Sequence, residues 1–139
     1  MIIRLIYISR SVTPLPLDLK DILATSRQNN ERVGITGAMC FLEGVYFQYL
    51  EGEEQVVETL YDLILKDPRH KDAKLLDRAF IDARQFSDWS MGLLTWNDHC
   101  SFIVEMHSQN AGNDLYRMDP KAAPEIFQEL KKNPNWMSI

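Results

Sequence analysis

The chain has 139 residues, 45% of them hydrophobic and 25% charged, and carries a formal net charge of −5. This is the size and composition of one globular domain with a single sizeable core, and its apolar runs fall far short of the roughly 20 residues a membrane-spanning helix needs. The acidic balance, with no cluster of Lys and Arg, argues against nucleic acid as a direct partner, because such binding relies on neutralising phosphates. The first element, MIIRLIYIS, holds Arg4 inside a short apolar run and lacks a small-residue cleavage site, so it reads as a strand over 2–9 and not as a leader. Alternation places Ile3, Leu5, Tyr7 and Ser9 on one face and Ile2, Arg4, Ile6 and Ile8 on the other. Both faces look largely buried, as in a sheet covered on its two sides.

Pro14 and Pro16 mark a turn, after which LDLKDILATSRQNN sets Leu19, Ile22, Leu23 and Ser26 at helical spacing. Asn29 and Asn30 continue that stripe, and Gly34 ends the helix. ITGAMCFLEG and VYFQYLEG read as two strands of a hairpin turning around Glu43 and Gly44. In the second of these, Tyr46, Gln48 and Leu50 share one face, so a buried amide at Gln48 must find hydrogen-bond partners. EEQVVETLYDLILK carries Val57, Leu60, Tyr61 and Ile64 at helical spacing and stops before Asp67 and Pro68. AKLLDRAFIDAR and, beyond FSDW, SMGLLTW supply two more strands.

The order βαββαββ predicts an α+β sandwich of the ferredoxin-like kind, a five-stranded mixed sheet with two helices on one face. The other face needs a cover. Residues 97–108 form a plausible helix, Asp119 and Pro120 suit an N-cap and first turn, and Ala123, Ile126, Phe127 and Leu130 make one apolar stripe. Two parts are expected, a domain over 1–97 and a helical extension over 98–139 packing on the back of the sheet. Cys40 and Cys100 lack a CxxC pattern and fit reduced thiols, which makes the cytoplasm the expected compartment. His99 and His107 lie eight apart, not at the i, i+3 or i+4 spacing of helical ligands, so no metal is expected.

Tyr7, Gln48, Ser26, Asn29 and Asn30 converge on the helix-covered side. They offer donors and acceptors suited to a flat heterocycle with alternating C=O and N–H groups. The plainer alternatives stay open at this point: Asn29 and Asn30 as helix caps, Tyr7 as a buried ring reaching a carbonyl, Trp89 and Met91 as core residues sharing one strand face.

The stretches RLIYIS, SRQNN, GITGAMCF, YFQYLEGE, KDPRH and FSDWSM, in this order and spacing over about residues 2–97, resemble the blue-light-using-flavin (BLUF) family. The resemblance implies an FAD isoalloxazine held between the two helices. Tyr7 then looks like the photoactive tyrosine and Gln48 like the glutamine between it and the flavin. Asn29 and Asn30 look like the pair on the pyrimidine edge, with Ser26 nearby. Ile22, Leu23, Tyr46 and Ile64 would supply walls, Tyr46 departing from the phenylalanine expected there. Asp67, Arg69 and His70 resemble a polar cluster beside the ring, and Trp89 and Met91 the residues that compete for a place near Gln48.

The family implies that blue light drives transient electron and proton donation by Tyr7 and a change of tautomer or orientation at Gln48, which red-shifts the flavin. Because 139 residues leave no room for an output domain, the signal is expected to leave through another chain, and a homo-oligomer plus a separate regulatory protein is the expectation. Two other function classes compete. A small flavin-dependent or acylphosphatase-like enzyme could use the same fold, but the chain offers no glycine-rich phosphate loop and no nucleophile with a paired base. A ligand-binding or assembly module without light chemistry would give a colourless protein.

Overall fold

A computed structural model describes residues 1–12, 17–42, 44–95, 98–107, 114–134 and 136, and the side chains among them except those of 17–23, 25, 42 and 95. Its elements are β1 (Ile2–Ser11), α1 (Leu17–Val33), β2 (Thr36–Leu42), β3 (Val45–Glu53), α2 (Glu54–Lys66), β4 (His70–Ile81), β5 (Gly92–Thr95), α3 (Asp98–His107), a 3₁₀ turn (Pro120–Ala122) and α4 (Ala123–Leu130). The five strands form one sheet in the order β4-β1-β3-β2-β5. β1 pairs antiparallel with both β3 and β4, β2 pairs antiparallel with β3, and β5 adds in parallel beside β2. This is the ferredoxin-like arrangement the element order predicts, with a fifth strand on the β2 edge.

Alternation sorts the core into two layers as expected. Ile3, Leu5, Tyr7, Tyr46 and Leu50 form the front layer with Val57 and, partly buried, Leu60, Tyr61 and Ile64 of α2. Ile6, Ile8, Phe47 and Tyr49 form the back layer with Ile103 and Val104 of α3 and the stripe Ala123, Ile126, Phe127 and Leu130 of α4. The extension therefore shares a core with the sheet. Asp119 caps its 3₁₀ turn by accepting from the Lys121 N–H, with Pro120 in the first turn.

Boundaries follow local chemistry. Gly34 and Gly44 both adopt positive φ, +76° and +82°, one just past the end of α1 and one in the β2–β3 turn. The Glu53 side chain caps α2 by accepting from the Gln55 and Val56 N–H groups. β4 starts at His70, three residues before the run that sequence assigns to it, because its antiparallel partner β1 extends to Ser11 and pairs with that stretch. The register between β1 and β4 shifts between Ile6 and Tyr7 and again between Ile8 and Arg10, bulges that flank Tyr7 on its β4 side. Elsewhere, His99 lies 2.8 Å from the Asn133 amide, Cys100 is buried in the back layer, and His107 lies 3.5 Å from Glu125.

Candidate flavin site

Tyr7 stands directly opposite Gln48 in the β1–β3 register, and Met39 stands opposite Gln48 on its other side. Opposed side chains of an antiparallel pair project to the same face, so the phenol and the amide meet because the register puts them in one row. Tyr7 is 0% and Gln48 5% exposed. The Tyr7 hydroxyl donates to Gln48 Oε1. On its other side Gln48 Nε2 lies 3.5 Å from the Met91 sulfur, a weak acceptor. Burial pushes the Tyr7 phenol far above its ordinary pKa, and Tyr61, Tyr46 and Asp67 push the same way, so the proton stays on the ring at neutral pH. Tyr61 packs on Tyr7 with ring centroids 5.2 Å apart.

These groups open onto a cleft of about 160 Å³ lined by Tyr7, Ser26, Asn29, Asn30, Gln48, Leu60, Leu63, Ile64, Asp67, Arg69 and His70. A more apolar groove of about 410 Å³ between α1 and α2 shares Asn29, Asn30, Leu60 and Leu63 with it and adds Val33 and Val56. Asn30 is buried on the inner side of α1, and its Nδ2 donates to the Ser90 carbonyl at 2.9 Å. Asn29 is exposed at the rim, where its Oδ1 accepts from Arg32 at 3.1 Å. The Asp67 carboxylate takes the Arg69 guanidinium at 2.7 Å and its backbone N–H at 2.8 Å, and these bonds hold the carboxyl below its usual range. His70 loses basicity chiefly through burial, and its Nδ1 lies 2.9 Å from the Ser9 hydroxyl.

Of the residues singled out from sequence, the structure thus gathers Tyr7, Ser26, Asn29, Asn30, Gln48, Ile64, Asp67, Arg69 and His70 around one cleft. Met91 joins them at Gln48. Tyr46 shares the face but does not line the cleft: its ring packs between Phe41 and His70, at 4.9 Å from each, two residues along β3 from Gln48. The side chains of Ile22 and Leu23 lie outside the described residues.

Trp89 requires a correction. Sequence places it on one strand face with Met91, yet it packs in the back layer, stacked on Phe86 at 5.3 Å and tilted against Trp136 at 5.0 Å, while Met91 belongs to the front layer. The reason lies in the chain's approach to β5 from across the sheet end. Residues 89–91 precede β5 in a bend, so the two-residue alternation of a strand does not apply to them. Sequence reasoning also passed over Leu60 and Leu63 as lining residues, although their spacing with Ile64 marks one face of α2, and over Ser9 as the partner of His70, although alternation places it on the Tyr7 face.

Among the described residues, two buried polar groups of the cleft lack full protein partners. Gln48 Nε2 bears two protons and meets the Met91 sulfur, and Asn30 Oδ1 has no partner among the described residues. Buried polar atoms are rarely left so, and a flat ring with carbonyl and N–H groups on one edge would complement both, its body lying against the groove leucines. The residues therefore fit a flavin. Residues 2–92 match the model of the BLUF family, described as sensors of blue light using FAD. This chain belongs to the BLUF family.

Photoactivated adenylate cyclase subunit beta of Euglena longa is 35% identical over 89 residues, 63% of this chain and 10% of that protein, so the chain spans about a tenth of this curated relative's length. The photo-activated-state structure of BlsA matches with 33% identity, 97% of this chain, 98% of that one and a TM-score of 0.87. The ground-state structure of BlsA gives 32%, 97%, 91% and 0.84. As a BLUF domain, the chain is a flavin-binding blue-light receptor on the ferredoxin-like fold.

Proposed function

We propose that the chain binds FAD between α1 and α2 and, in the cytoplasm, reports blue light to a separate regulatory protein. Residues 1–97 act as the photosensory domain and 98–139 as the transmitting extension. The observation that carries this is the buried Tyr7–Gln48 pair, with the Met91 sulfur as the other side-chain partner of the amide among the described residues. Asn30, Asn29 and Ser26 would take the polar edge of the ring and Leu60, Leu63 and Ile64 its apolar faces, with Asp67, Arg69 and His70 adding polar groups to the lining.

When bound, flavin absorbs blue light and becomes a strong electron acceptor. The chain supplies the donor and the switch. Tyr7, held protonated by its burial, gives up its proton readily only when it also gives up an electron, and its hydrogen bond offers Gln48 as the adjacent proton-accepting group. Gln48 can exchange the ends of its amide at modest cost, because the Met91 sulfur holds Nε2 only weakly. In a low-dielectric site such a change of donor and acceptor is enough to bias a two-state element. The enzyme alternative is set aside, since the matched family is one of sensors. Phe102 and Met106, exposed four residues apart on α3, favour a homo-oligomer or a partner contact on the extension.

The test is a pair of absorption spectra, dark and blue-lit, of the purified protein and of Tyr7→Phe. The wild type is expected to be yellow with a reversible red shift, and Tyr7→Phe to stay yellow without it. A colourless wild type, or a normal shift in the variant, would overturn the proposal.

A further inference from the structure

Strands β4 and β5 lie on opposite edges of the sheet, so the chain between them must cross the whole sheet end. A crossing packed against a sheet carries backbone N–H groups that need acceptors away from water. Glu51, on the central strand β3 and 0% exposed, lies on this path. Its Oε1 accepts from the Gln85 N–H at 2.7 Å and its Oε2 from the Phe86 N–H at 2.7 Å and the Thr36 hydroxyl at 2.8 Å. Arg84 Nη1 donates to the same hydroxyl at 2.9 Å and to the Glu51 carbonyl at 3.3 Å.

We propose that Glu51 is a positioning residue for the photoreceptor: its carboxylate clamps the β4–β5 crossing so that Trp89 stays on the back layer and Met91 stays against Gln48. The clamp reaches them through short links. The Trp89 N–H donates to the Phe86 carbonyl at 3.0 Å, closing a turn directly on the clamped residue. Beyond it the Trp89, Ser90 and Met91 carbonyls accept from the Gly37 N–H, Asn30 Nδ2 and Arg27 Nε at 3.1, 2.9 and 3.2 Å. Lys131, just after α4, donates to the Gln85 carbonyl, so the clamped segment also touches the extension. The crossing is held at both ends, by the Glu51 side chain accepting at one and by the segment's own carbonyls accepting at the other.

The inference rests on the photoreceptor function proposed above, and amide hydrogen exchange in the protein kept in the dark separates the two. In the wild type the Gln85 and Phe86 amides should be protected like those of β3. Exchange as fast as that of the neighbouring Ser87 and Asp88 overturns the clamp without any variant. Glu51→Gln keeps the shape but leaves one amide oxygen for two N–H groups, so those two amides should exchange about tenfold faster or more, with β1 and β3 unchanged. In the flavin-loaded variant the light-state recovery rate should change by about threefold or more, the signature of a freed Met91 and one that a purely structural role would not move. Unchanged protection, loss spread evenly over β1 and β3, or released amides with wild-type recovery would each overturn the proposal. A wild type with no light response but protected amides would sink the photoreceptor function and leave the clamp standing.

Discussion

Replacing Gln48 by leucine separates a structural from a signalling role for the buried amide. The substitution removes the acceptor of the Tyr7 hydroxyl, which is fully buried and whose row neighbours across the sheet, Leu75 opposite Tyr7 and Met39 opposite Gln48, offer no side-chain oxygen. An orphaned buried hydroxyl costs about 1–3 kcal/mol. Against it, leucine places an apolar side chain of similar volume at a 5% exposed position beside Met91 and needs no partner of its own, a gain of about 1.5–3 kcal/mol for a fully buried leucine. The two terms nearly cancel, leaving about 1 kcal/mol in either direction, or a melting shift of about 4 °C for a domain of this size. The variant is therefore expected to fold, bind flavin and melt close to the wild type while losing the reversible red shift altogether. A thermal melt beside dark and lit absorption spectra measures both quantities. A wild-type red shift in Gln48→Leu would refute the relay, whatever its melting temperature.

Asn30→Ala strands the Ser90 carbonyl and removes the cleft's inner amide, so flavin affinity should fall by roughly tenfold or more, for a lost buried bond of about 1–3 kcal/mol; unchanged binding by titration would return Asn30 to a capping role. His70 has a folded pKa depressed mainly by burial, so the unfolded chain takes up its proton first as pH falls. Stability should therefore decline as pH drops below about 6.5 and level off below the folded pKa, and His70→Gln should flatten that part of the melting curve; an unaltered pH profile would show that the ring is not shielded. A Cβ at Gly92 would come within 2.5 Å of the Trp89 ring, so Gly92→Ala should shift Trp89 off its Phe86 stack and move the tryptophan emission, and an emission spectrum identical to wild type would contradict that packing.

Much of this protein was legible along the chain because the information was local. Alternation alone sorted Tyr7, Gln48, Tyr46 and Leu50 from Ile6, Ile8, Phe47 and Tyr49, and helical spacing alone found the α4 stripe that covers the back layer. The resemblance in ordered motifs then supplied the flavin, which no periodicity contains. What the tertiary structure decided was register and crossing. That Tyr7 faces Gln48 depends on how β1 slides on β3, residues 41 apart in sequence. That Trp89 and Met91 end on opposite faces, and that a glutamate in an apolar strand is buried, depend on the chain between β4 and β5 crossing the sheet end. Its backbone N–H groups find their acceptor on a strand more than thirty residues away, and a demand of that kind is set by where the chain passes in space, so no local pattern of side chains can announce it.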